Sequence, residues 1–175
     1  MPTSQLLCAV FAVVLSHVAA AQTPQSTAQS QFESLKKLQG TWTGKAHHGE
    51  QASDVTVTYK VTANGTAVVE TQFAGSPHEM VTMYYLDGKD LKLTHYCAAG
   101  NQPQMKAKKP GSKTDTGNVI DFEFAGGTNI TKQGMHMHSA HVRLVDTDHV
   151  ESVWESYSQG RKVSEAKFVL ARQSE

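Results

Sequence analysis

Between Thr41 and Leu170 about ten short segments alternate apolar with polar residues. This two-residue period belongs to strands with one buried face and one wetted face. Val55, Val57, Tyr59 and Val61, for example, alternate with Thr56, Thr58 and Lys60. The pattern predicts strands over Thr41–Ala46, Asp54–Thr62, Thr66–Ala74, Glu79–Leu86, Asp90–Cys97, Gln102–Ala107, Asn118–Phe124, Met135–Val145, His149–Tyr157 and Arg161–Leu170. Asn64-Gly65, Asp87-Gly88, Asp146-Thr147-Asp148 and Gln159-Gly160 fall between these segments and suit tight hairpins. With no helical crossover, consecutive strands pair antiparallel. An open sheet of that size leaves two unpaired edges, and closing it removes both. The expected fold is all-β, a single antiparallel up-and-down barrel of about ten strands.

Upstream of the strands the period lengthens. Ser30 and Glu33 have the spacing of a capping box, Phe32, Leu35 and Leu38 recur on one face, and Gly40 follows as a stop. One short α-helix is therefore expected before the barrel, in a domain over residues 30–172. Gln22 to Gln29 is polar and reads as a flexible linker. Leu6 to Ala21 is apolar but too short to span a bilayer, and it ends in Ala19-Ala20-Ala21. Residues 1–21 thus read as a signal peptide cleaved before Gln22. The expectation is an exported, periplasmic or secreted protein with no stable membrane insertion after cleavage.

Composition narrows the partners. Sixteen basic residues balance sixteen acidic ones. Such a chain has no electrostatic footprint for nucleic acid. Loss of the leader removes Cys8 and leaves Cys97 without an intramolecular disulfide partner. A monomer or weak homodimer is expected.

Gly40-Thr41-Trp42-Thr43-Gly44, after a short helix and before a strand meander, resembles the opening of calycin barrels, the lipocalin and fatty-acid-binding class. Its longer form is similar to the corresponding motif of nitrobindin-like haem-binding barrels. Ser76-Pro77-His78-Glu79-Met80-Val81-Thr82 and Leu93-Thr94-His95-Tyr96-Cys97 resemble an uncharacterised family of exported bacterial lipocalin-like domains. The resemblance implies structural roles for Gly40, Trp42 and Gly44, with Arg172 packing on the Trp beneath the barrel. It also implies a haem axial His late in the barrel, with His136, His138 and His141 as the nearest residues. Ala46 stands where nitrobindin-like domains carry a further glycine.

In a meander the odd-numbered connections share one end. Here they hold His47-His48, the Ser76–Glu79 turn, the Ala98–Gln102 turn, the Gly-rich stretch before His136, and Ser158–Gly160. This end is expected to be the open mouth. Alternation places His95 and Cys97 inside with Leu91 and Leu93. His78, Met80, His95, Cys97, Asn101, Gln102 and Met105 form the expected ligand-binding set, in which amides orient a polar group and a thioether lines an apolar wall. His136-x-His138 puts two imidazoles on one strand face, a spacing that can chelate a transition metal. Alternation alone leaves open which face that is. Glu70, Glu123, Glu151 and Glu155 are scattered and read as solvent-facing charges.

His78-Glu79-Met80-Val81-Thr82 lacks the second histidine of a zinc-protease motif. Gly-x-Ser-x-Gly, phosphate-loop and Cys-x-x-Cys motifs are absent from the sequence. The case for an enzyme rests on the His-rich rim alone. Three functions stay open: a carrier of a small hydrophobic or amphipathic molecule, a haem or metal protein using rim histidines, and a packed structural domain that meets a partner protein.

Overall fold

The computed structural model describes residues 27–109 and 118–174. The leader and residues 22–26 of the linker lie outside the described residues. The chain forms helix α1 (Thr27–Lys36) and ten strands: β1 (Gly40–His48), β2 (Gln51–Thr62), β3 (Ala67–Gln72), β4 (Met80–Asp87), β5 (Asp90–Tyr96), β6 (Gln102–Ala107), β7 (Val119–Thr128), β8 (His136–Leu144), β9 (His149–Ser158) and β10 (Arg161–Arg172). Each strand pairs antiparallel with its sequence neighbours, and β1 pairs with β10 to close the barrel. The predicted fold class is the observed one.

Gly44 makes that closure feasible. A Cβ placed on it would lie 2.0 Å from the Val169 carbonyl oxygen, so only a residue without a side chain lets β1 meet β10 there. Trp42 and Arg172 are partners across the same seam.

The helix begins at Thr27, so residues 27–29 of the expected linker form its first turn. Ala28, Phe32 and Leu35 supply a buried face with helical spacing, and this outweighs the polar composition around them. The capping box predicted at Ser30 is not formed. Ser30 is inside the helix, where its carbonyl accepts from the Ser34 hydroxyl, while Glu33 pairs with Lys36 at 3.0 Å. Gly40 is not the helix stop but the first residue of β1, with φ +132°.

The helix packs on the even-numbered end of the barrel, beside β2, β4 and β5. Phe32, Leu35 and Leu38 continue the barrel core there, with Trp42 fully buried among them. That end is plugged. Three strand irregularities gather toward the opposite end, between Gln104 and Met105, Met137 and Ser139, and Lys162 and Ser164. Bulges of this kind bend strands and re-aim side chains, and they are common at barrel rims.

Candidate functional site in the barrel interior

The inner face of β2 to β5 carries polar residues in a row. Tyr59 is the register partner of Glu70, Glu70 of Thr82, and Thr82 of His95, so four adjacent strands each present one polar group at one level. All four are buried. Glu70 Oε1 accepts from the Tyr59 hydroxyl at 3.0 Å and the Gln72 amide at 3.1 Å, while Oε2 accepts from the Tyr84 hydroxyl at 2.5 Å. Burial raises the Glu70 pKa above its ordinary value, and the hydrogen bonds from Tyr84, Gln72 and Tyr59 work against that rise. Burial and the neighbouring carboxylate push both tyrosine hydroxyls well above their ordinary range.

Glu70 therefore corrects the sequence reading, which had it facing solvent. The signal was present in the second hairpin. Once Asn64-Gly65 sits in the turn, the register sets Glu70 opposite Tyr59, on the face shared with buried Val68 and Gln72.

His95 is fully buried, as alternation predicted. Its Nδ1 is 2.8 Å from Thr82 Oγ1, and its ring lies 4.9 Å from that of Trp154, tilted by 38°. Removal from water lowers its pKa to about 4, so the imidazole is neutral near pH 7. Cys97 does not join it inside. β5 ends at Tyr96, and Cys97 is a half-buried turn residue whose backbone N–H donates to the Asn101 carbonyl. The turn interrupts alternation before reaching it.

Four buried polar atoms have no hydrogen-bond partner among the described residues: His95 Nε2, Asn101 Oδ1, His136 Nδ1 and Trp154 Nε1. His95 is near the end of β5, Asn101 just precedes β6, and His136 opens β8. These three positions mark the odd-numbered end of the barrel, and Trp154, in mid-strand on β9, reaches it through the His95 ring.

The other expected site residues occupy different surroundings. Met105 is fully buried in the core. Asn101 and Gln102 tie the fifth connection to the seventh: Asn101 Nδ2 donates to the Met135 carbonyl at 2.7 Å, and Gln102 Oε1 accepts from the Thr128 hydroxyl at 2.6 Å. Ser158 Oγ donates to the Gln133 carbonyl at 2.9 Å, which secures the other side of the seventh connection. Met80 is half-buried at the start of β4, and His78 is exposed in the third connection, apart from the rest.

His136 and His138 do come together, with His136 Nε2 3.1 Å from His138 Nδ1. The bulge in β8 places His138 between the Phe124 ring, 4.9 Å away, and the Tyr157 ring, 4.2 Å away. Burial and the second imidazole lower the His138 pKa, opposed by Glu155. Met137 packs against the core, while Met135, in the connection before β8, is exposed. His141 is separate and pairs with Asp121 at 2.6 Å. Among the described residues no group of three or more His, Cys, Asp or Glu is arranged to hold a metal ion. No described helix is long and apolar enough to cross a membrane.

No family model matches the chain, and no curated protein matches it. Its likeness is to solved structures. Rv2717c from M. tuberculosis superposes with a TM-score of 0.57 at 15% identity, over 82% of this chain and 98% of that one. A DUF3598-family protein of unknown function from Nostoc punctiforme superposes with a TM-score of 0.51 at 12% identity, over 78% of this chain. The match takes in 48% of the Nostoc protein, so this chain corresponds to about half of it. At such identities the shared property is the fold, which in this chain is a closed antiparallel β-barrel.

Proposed function

We propose that the protein is an exported barrel that binds a small amphipathic molecule, admitted at the end that carries the odd-numbered connections. The observation that supports this is the gathering of orphaned polar atoms. A buried donor or acceptor without a partner costs about 1–3 kcal/mol, and native interiors hold few of them. Here His95 Nε2, Asn101 Oδ1, His136 Nδ1 and Trp154 Nε1 lie in the part of the barrel away from the helical plug. A bound molecule with polar groups would satisfy several of them together, and the apolar core would take the rest of it. Native mass spectrometry of the protein purified from its own compartment tests this. A retained organic mass supports the carrier, and an empty protein that also takes up no amphiphile removes it.

The rim histidines favour a second reading, a metal or haem group at the mouth. His136 Nε2 and His138 Nδ1 face each other, and His136 Nδ1 is shut from solvent. This leaves His138 Nε2 as the nitrogen of the pair open to an external group. The haem expectation comes from the nitrobindin-like resemblance. An absorption spectrum with elemental analysis separates the readings: a Soret band or stoichiometric metal that His138→Ala abolishes and His95→Phe retains would establish the rim site.

A further inference from the structure

We infer that the His95–Trp154 ring pair is the receptor for an uncharged, hydrogen-bond-accepting oxygen, such as a ketone, ester or amide carbonyl, on the ligand's head group. This rests on the carrier reading and names the class of molecule carried.

The proton inventory assigns donors at both rings. Trp Nε1–H can only donate. For His95, two tautomers are compatible with the contact between Nδ1 and the Thr82 hydroxyl. If Nδ1 carried the proton, both the Thr82 hydroxyl hydrogen and the Nε2 lone pair would be buried without partners. If Thr82 donates to Nδ1, the Nε2–H alone is unmatched. The second arrangement leaves fewer orphans and is the one the network selects. The interior then presents two N–H donors, His95 Nε2–H and Trp154 Nε1–H, on neighbouring rings 4.9 Å apart. One carbonyl oxygen has two lone pairs with which to meet them.

Charge selects against the alternatives. Among the described residues, the buried polar and charged ones are Gln31, Glu70, Gln72, Thr82, His95, Asn101, Ser152 and Ser156, with no lysine or arginine. A carboxylate entering here would lose its hydration with no cation to replace it, and Glu70 stands one strand beyond Thr82 in the same row. A cationic head would meet two N–H donors, and the Glu70 oxygens already accept from Tyr59, Tyr84 and Gln72. An uncharged acceptor remains. Leu93, Met105, Phe122 and Ala140 are buried apolar neighbours in the same core.

The two tryptophans provide an internal control. Trp42 Nε1 already donates to the Leu38 carbonyl at 2.7 Å, whereas Trp154 Nε1 has no partner. The experiment titrates the protein with acetophenone, ethylbenzene and benzoate while following the two indole N–H signals by 15N–1H correlation NMR. Acetophenone is expected to bind about tenfold tighter than ethylbenzene, the worth of one or two net hydrogen bonds. It should move the Trp154 signal downfield and leave Trp42 in place, and benzoate should bind weakest. His95→Phe and Trp154→Phe keep a ring and remove one donor each, and either should erase the preference for acetophenone. If ethylbenzene binds as well as acetophenone, or Trp154 does not respond to bound acetophenone, the donor assignment falls while the carrier reading stands. If none of the three binds, both fall.

Discussion

The guanidinium carbon of Arg172 lies 4.2 Å from the centre of the Trp42 ring, across the seam that closes the barrel. Its nitrogens donate to the carbonyls of Lys37, Gln39 and Thr147, and the Trp42 indole donates to that of Leu38. Two side chains thus satisfy four carbonyls that follow the helix or belong to the eighth connection. Arg172→Met should cost about 2 kcal/mol in urea unfolding, through lost hydrogen bonds and cation–π contact. Arg172→Lys should recover little of this, because an ammonium cannot meet three fixed directions. Full stability in Arg172→Met would show that the seam holds without it.

Gly44→Ala should be more damaging than its size suggests. The added methyl must displace the backbone of β10 at Val169, where no side chain can yield. The expected result is a chain that expresses poorly, or that unfolds at much lower denaturant than Gly49→Ala, whose added Cβ meets nothing within 4 Å and which bears only the cost of about 1–2 kcal/mol for a side chain at φ +60°. Equal unfolding midpoints for the two variants would refute the close approach of β1 and β10.

His95 sets a pH dependence of defined sign. Its folded pKa is depressed from 6.5 to about 4, so between those values the unfolded chain binds a proton that the folded protein refuses. Stability present above pH 6.5 is lost as pH falls toward 4, by up to about 3 kcal/mol from this group. Wild type should lose more stability than His95→Gln between pH 7 and pH 5, measured by urea unfolding. Parallel curves would mean that burial does not hold the imidazole neutral.

Glu70 works in the opposite direction. Its folded pKa is raised above 4.5, so the folded protein takes up the proton first, and the contribution to stability falls as pH rises through the raised value. Glu70→Gln should lack this slope. Glu70→Ala should cost about 3 kcal/mol or more, since it leaves the hydroxyls of Tyr59 and Tyr84 and the Gln72 amide without an acceptor. A shallow cost in Glu70→Ala would show that the three donors find other partners.

The period of two and the hairpin residues determined the ten antiparallel strands, because alternation follows from the pleat and needs no distant contact, and the two edges of an open sheet called for closure. The same alternation reached His95, which lies inside a regular strand. It misplaced Cys97, where β5 gives way to a turn, and could not orient His136 and His138, where a bulge in β8 shifts the phase. What only the tertiary structure decided is which residues from different strands meet: Glu70 with Tyr59 and Tyr84, and His95 with Trp154. Those contacts depend on the register of each hairpin and on the closure of the barrel, which sets His95 against Trp154 although the two are 59 positions apart in the chain. The linear pattern of apolar and polar residues carries the face each one takes; the neighbour it meets there is fixed by strand pairing.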